Sequence, residues 1–239
     1  MRVLALDTTT RSGSMALLED GVLVDEHSGD PSRTHGERLP GDLVRLLTRH
    51  ALRLTDIDLF GVAAGPGSFT GLRIGIATVQ GVAFATGRPV VPVSALDARA
   101  RRAAPDSPVP ILGIWMDAQR HEVFAALWTG AGARGDRLTS IGAASVGLPD
   151  EILARWLRIG DAPIAIAGEG ALAYRDLLVP HRSRVHLLED LPPIAGEIAR
   201  MAVEAFQAGQ SVGPAAIQPI YIRRPDAELA RERAQRLRS

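Results

Sequence analysis

The chain has 239 residues, sets 27 basic side chains against 27 acidic ones, and contains no cysteine. That length suffices for one large domain or two lobes around a sizeable core. Charge balance leaves no global field toward nucleic acid or membrane, and the missing cysteines exclude disulfides, thiolate metal sites and thiol nucleophiles.

In chain order, residues 2–6 read as a buried strand ending at Asp7-Thr8-Thr9-Thr10, and residues 14–18 and 22–26 as two antiparallel returns around the turn Glu19-Asp20-Gly21. From Thr34 to about residue 52 the leucines at 39, 43, 46 and 47 share one helical face. Pro40 inside that stretch is expected to kink the helix or delay its start. The apolar run 59–64 is a strand. It leads into Gly65-Pro66-Gly67-Ser68-Phe69-Thr70-Gly71-Leu72-Arg73-Ile74-Gly75, a tight glycine turn and a helix capped by Ser68 and stopped by Gly87 and Pro89. Residues 89–93 form the next strand. The apolar stretch 74–85 is too short to span a bilayer, which takes about 18 or more residues, and the apolar N-terminus is too short for a signal peptide. A soluble cytoplasmic protein without membrane contact is expected.

A second segment opens with a polar helix over 96–104. Strands at 111–116 and 122–128 flank the turn Asp117-Ala118-Gln119-Arg120-His121, and residues 129–137 form a glycine-rich connection. Pro149 starts a helix with acids in its first turn. A strand at 164–167 meets Gly168-Glu169-Gly170 and a helix through Leu178. A further helix starts at Pro192-Pro193, residues 219–223 suit a final edge strand, and a charged tail follows. The pattern is α/β with mixed sheets. We divide it into an N-terminal lobe, 1–95, to which 206–225 returns, a C-terminal lobe, 96–205, and the tail, 226–239.

The glycine turn admits two readings. Strand, glycine turn and helix N-terminus is a common phosphate cradle, yet the turn has no Walker lysine, since the chain has no lysine at all, and Thr70 stands where a dinucleotide fingerprint needs glycine. The other reading is a sharp turn with close helix packing. The helix favours the second. Leu72, Ile76, Val79 and Ala83 form one apolar stripe and Gly71, Gly75, Thr78 and Ala85 another, leaving only Arg73 and Gln80 as a polar seam. Small residues four apart suit a neighbouring helix backbone, and surplus apolar surface suits a matching pair of helices on another chain. Leu39, Leu43, Leu46, Gly71, Leu72, Gly75, Ile76 and Thr78 are the candidate interface.

Asp7 sits at the C-terminal end of its strand, where ligand clefts open. It either holds a hydrated metal near a phosphate or caps the Thr8–Thr10 turn. His35, His50, His121, His181 and His186 lack ligand spacing, and most of them are expected to be exposed. Ser68 lacks the spacing of a nucleophile elbow. Asp117 and Glu122 make only a weak paired-carboxylate motif.

The segments Leu4-Ala5-Leu6-Asp7-Thr8-Thr9, Gly65 to Gly75, Met116-Asp117-Ala118-Gln119-Arg120-His121-Glu122-Val123-Phe124 and Pro219-Ile220-Tyr221-Ile222-Arg223 together resemble the TsaB family. That family usually has glycine at the place of His121 and tyrosine at that of Phe124. The resemblance implies a two-lobed actin-like, sugar-kinase-like fold and a non-catalytic subunit of the machinery that makes threonylcarbamoyladenosine in tRNA. It implies a degenerate relative of the catalytic subunit TsaD, whose two metal-binding histidines align with Ala95 and Arg99, residues that cannot ligate iron or zinc. Asp7, Gly65, Gly67, Gly168 and Gly170 then mark a vestigial nucleotide site with no metal. The implied partners are TsaD, the ATPase TsaE, tRNA indirectly, and a second copy through the same helices. No cofactor is expected in the isolated chain, with ATP or ADP confined to a complex interface. The rival reading is a small-molecule kinase or ATPase of the same fold.

Overall fold

The computed structural model describes residues 1–132, 138–190 and 192–222. The first sheet contains β1 (Arg2–Asp7), β2 (Ser14–Glu19), β3 (Val22–Ser28), β4 (Leu59–Gly65) and β5 (Val90–Ser94), in the order β3-β2-β1-β4-β5. β1 to β3 pair antiparallel, while β4 and β5 continue parallel to β1. The second sheet contains β6 (Ile111–Asp117), β7 (Val123–Thr129), β8 (Thr139–Ser140), β9 (Ser145–Gly147), β10 (Ile164–Ala167) and β11 (Val185–Leu187). Its order is β11-β10-β6-β7-β8, with β9 also on β7. Each sheet is therefore an antiparallel hairpin extended on its other side by two parallel strands. The glycine units after β4 and β10 occupy equivalent places in the two copies. This doubled topology is the expected two-lobed actin-like architecture.

The helices are α1 (His35–Arg49), α2 (Phe69–Thr86), α3 (Ala95–Ala103), α4 (Pro149–Leu157), α5 (Glu169–Ala173), α6 (Arg175–Leu178) and α7 (Ala195–Gln207). Alternation along the strands sorts them into layers. Leu4, Leu6, Phe60 and Val62 face α1 and α2, whereas Val3, Ala5, Leu59 and Ala63 face the other way into a core shared with α3, α7 and the second sheet. Trp115, Val123, Ala125 and Leu127 point outward again, under α4 to α6. The lobes thus share one continuous apolar core.

Several expectations shift. Pro40 does not delay α1, which starts at His35 behind a Thr34–Glu37 capping box and runs unbroken to Arg49. The bond Pro40 forgoes would end on Gly36, in the exposed first turn. The helix expected through Leu178 breaks at Tyr174 into α5 and α6, and α7 starts at Ala195 rather than at the prolines. Helix α7 packs on β1, β2, β4 and β5, so the return to the first lobe begins well before residue 206. Helix α3 touches both lobes instead of opening the second, because Ala95, Leu96, Ala98 and Ala100 are buried in the shared core. Residues 219–222 form no strand. Ile220 N–H donates once, to the Ala64 carbonyl at 2.7 Å, and Val212 bridges to Val90. Arg223, part of the glycine-rich connection and the tail from 226 lie outside the described residues. No helix among the described residues is long and apolar enough to cross a membrane.

Candidate functional site

The C-terminal ends of β1 and β4 carry Asp7 and the first glycine turn, and those of β6 and β10 carry Asp117 and the second. Asp7, 3% exposed, turns its Oδ1 onto its own turn, accepting from Thr9 N at 2.8 Å and Thr9 Oγ1 at 2.6 Å. Capping is what the geometry realises. The glycine turn is equally occupied by the chain itself: Ser68 N–H donates to the Thr9 carbonyl at 2.8 Å, and a Cβ on Gly67 would fall 2.5 Å from Thr9 Cβ. On the other side, a Cβ on Gly65 would lie 2.5 Å from the Ile220 carbonyl oxygen. The second glycine unit repeats this. Gly168, at φ +114°, leaves only 2.1 Å between a would-be Cβ and the Trp115 carbonyl oxygen, and Gly170 packs on Val123 and Trp115. In both units the candidate nucleotide-site glycines are spent on contacts within the protein.

Arg99, 7% exposed, reaches from α3 toward Glu169, with Nε 3.8 Å from Oε2, and that Nε has no hydrogen-bond partner. Glu169 also accepts from Asp117 N–H at 3.4 Å. Burial pushes the Glu169 carboxyl above the ordinary glutamate range, Arg99 opposes this, and Asp7 adds to it. Ala95 is fully buried in the shared core. Among the described residues no group of three or more His, Asp or Glu side chains is placed to hold a metal.

The β6–β7 turn carries strain. Gln119, Arg120 and His121 have φ of 59°, 57° and 63°, three successive non-glycine residues in the left-handed region. Each such residue costs about 1–2 kcal/mol. His121→Gly is therefore expected to raise the unfolding free energy by about 1 kcal/mol, measured by urea melts. An unchanged midpoint would count against strain at this position.

The outer helix layer separates core from surface differently from the helical-wheel reading. Leu39, Leu43, Leu46, Gly71, Leu72, Gly75 and Ile76 are buried within the fold, and Thr78 is half-buried with its hydroxyl on the Ile74 carbonyl at 2.8 Å. Gly71 and Gly75 admit the Thr8 turn rather than a helix backbone: their would-be Cβ atoms fall 2.1 Å from Thr8 O and 2.1 Å from Thr8 Oγ1. Solvent instead meets Arg73, Ala77, Gly81, Ala85 and above all Phe84, 83% exposed, and on α1 Val44 is 62% exposed. Arg73, Ala77, Gln80 and Phe84 follow one another at helical spacing, so the sequence's polar seam marked this outward face and Phe84 could have been found on it. At the first turn of α2, Arg73 lies 4.0 Å over the Phe69 ring, which stacks on Tyr221 at 5.8 Å. The histidine expectation fails more widely: of the five only His121 is exposed, His50, His181 and His186 are half-buried, and His35, 8% exposed, is held inside the α1 layer by polar contacts.

Comparison with known proteins adds the following. A family model described as TsaD, tRNA N6-adenosine threonylcarbamoyltransferase, matches residues 29–153. The chain is 30% identical over 231 residues to the Escherichia coli K12 tRNA threonylcarbamoyladenosine biosynthesis protein TsaB, covering 93% of this chain and 95% of that protein. It is 32% identical over 106 residues to a Pyrobaculum arsenaticum tRNA N6-adenosine threonylcarbamoyltransferase, covering 39% and 32% of the two chains. The crystal structure of YeaZ from Pseudomonas aeruginosa superposes with a TM-score of 0.74 at 30% identity, covering 92% of this chain and 99% of that one.

Proposed function

The chain belongs to the TsaB family of tRNA threonylcarbamoyladenosine biosynthesis proteins, and on that premise we propose that it is the non-catalytic subunit that binds and activates a TsaD-type catalytic subunit. The outward face of α2 carries this reading. Phe84 projects into solvent from the same helix as exposed Ala77, Gly81 and Ala85, and Val44 is exposed on α1, the helix that packs on α2. A large exposed aromatic flanked by small residues on a rigid helix is the form of an interface anchor. The partner offers a matching helix pair, and transfer of threonylcarbamoyl to adenosine 37 takes place on that partner.

The proposal extends to a TsaE-type ATPase in the same assembly, to tRNA met through the catalytic subunit, to a homodimer through the same face when the partner is absent, and to ATP or ADP held only at a seam of the complex. The rival kinase or ATPase reading is disfavoured by the first glycine turn, where Asp7 Oδ1 is committed to Thr9 and the Thr8–Thr9 turn fills the glycine cradle.

A Phe84→Glu, Ala77→Arg variant tests docking, because both positions are solvent-exposed in the monomer. Capture of the purified TsaD-type partner is expected to fall by at least about a hundredfold, the effect of losing a central anchor, with the thermal midpoint of the isolated chain unchanged. Capture retained at wild-type strength would overturn the proposal.

A further inference from the structure

A buried polar cluster at the N-terminal end of α1 belongs neither to the glycine-turn contacts nor to the outward face. Both ring nitrogens of His35 are engaged: Nε2 lies 2.9 Å from the Thr10 carbonyl oxygen, and Nδ1 lies 2.9 Å from Nη2 of Arg38. A carbonyl only accepts and a guanidinium only donates. Nε2 must therefore carry the hydrogen and Nδ1 must be bare, which makes the ring neutral and fixes its tautomer. Arg38 Nη2 also donates to the Ser12 carbonyl, and Nη1 donates to Asp42 Oδ2 at 2.8 Å. Thr10 and Ser12 lie in the turn between β1 and β2, so imidazole and guanidinium together pin that turn to the helix. The surroundings leave the pair no slack: a Cβ on Gly29 would fall 1.5 Å from Arg38 Nη1, and one on Gly13 would fall 3.0 Å from His35 Cε1.

We infer that His35 and Arg38 form a proton-sensitive clamp that holds the β1–β2 turn against α1 only while the imidazole is neutral. Protonation puts an N–H at Nδ1, facing the Arg38 N–H with no lone pair between them, and sets two buried cations against each other. Arg38 then loses one of its acceptors and is driven from its seat on Ser12. The charged groups around the ring are Arg38 and Asp42 on its own helix and Asp7 on β1. Burial and Arg38 disfavour the imidazolium, the two aspartates and the Thr10 carbonyl favour it, and the balance lies below the ordinary histidine value of 6.5. A depressed histidine pKa means the unfolded chain takes up the proton first as pH falls. The clamp's contribution is complete above that ordinary value and is lost as pH falls through the lower folded value. Because α1 borders the proposed docking face, acidification loosens that layer too, and this consequence alone rests on the docking reading.

The ring state can be read directly in the intact chain from long-range proton–nitrogen spectra, with His35 assigned through its own backbone. At about pH 7.5 the expected state is Nε2–H with bare Nδ1, and an Nδ1–H tautomer or an imidazolium there overturns the clamp. Protection of the Gly13 amide, which donates to Thr10 Oγ1 at 3.2 Å, is expected to drop by about tenfold or more as pH falls below the folded His35 value read from the same spectra. In His35→Gln, whose amide donates to Thr10 and accepts from Arg38 without titrating, protection should stay level over the same fall in pH. An equal drop in both proteins, or none in the wild type, would overturn the proposal. If the glutamine variant does not fold, the ring measurement decides alone. Both measurements use the isolated chain, so they stand or fall separately from partner docking.

Discussion

Gly71→Ala is expected to lower the unfolding free energy by about 3 kcal/mol, the upper range for forcing a methyl group into a filled interior. The reason is the identity of the atom struck. The new Cβ would stand 2.1 Å from the Thr8 carbonyl oxygen, and the next contacts are the same peptide carbon and Ser68 Cβ at 3.3 Å. A backbone carbonyl cannot rotate aside, so either α2 or the whole Thr8 turn must move. Gly75→Ala meets Thr8 Oγ1 at 2.1 Å, a side-chain atom without a hydrogen-bond partner, and a rotamer change absorbs part of the clash. Its cost should be about 1–2 kcal/mol. Gly81 has nothing within 4 Å, and Gly81→Ala should stabilise by about 0.8–1 kcal/mol through helix propensity. Urea denaturation of the three variants tests the order. Equal effects at 71 and 81 would refute the close approach of the Thr8 turn. A glycine-to-arginine change at 75 is therefore a folding variant, not a docking variant.

Asp42→Ala is expected to cost about 3–5 kcal/mol, because it leaves the Arg38 guanidinium buried without its anion. The side chains of Arg38 and Asp42 are only 4% and 9% exposed and meet at 2.8 Å, four residues apart on α1. Solvent cannot take over the freed charge. The double variant Arg38→Met, Asp42→Leu removes both charges and fills the volume, so it should lose less than Asp42→Ala alone. Equilibrium melts of the singles and the double measure the coupling. Strictly additive losses would mean the pair is screened by water, contrary to its burial. Arg45, which also binds Asp42, is largely exposed, and its removal should matter little.

The strand and helix frame was legible because local patterns and tertiary needs agree. Ser68 caps α2 and Gly87 ends it in the left-handed conformation, as the capping residues indicate. The β1–β2–β3 meander follows from alternation and the turn at Asp20-Gly21. The breaks came where distant contacts override local preference. Tyr174 interrupts a plausible helix, and α7 lies on the first sheet although the strand before it, β11, belongs to the second. A helical wheel also cannot tell which apolar stripe meets solvent. Leu39, Leu43, Leu46, Leu72 and Ile76 are core, while Phe84 on the polar seam is exposed.

The amino-acid sequence by itself determined the element types, the two glycine turns, the absence of thiol chemistry and the family motifs, since these depend on residue identity and short-range spacing. Only the tertiary structure decided what the glycines are for. Whether a backbone N–H at such a turn faces a phosphate or the chain's own Thr8–Thr9 depends on contacts about sixty residues apart, which no local pattern encodes. The same holds for His35: its spacing on α1 is unremarkable, and its neutral state follows from the Thr10 carbonyl and the Arg38 guanidinium meeting on its two nitrogens.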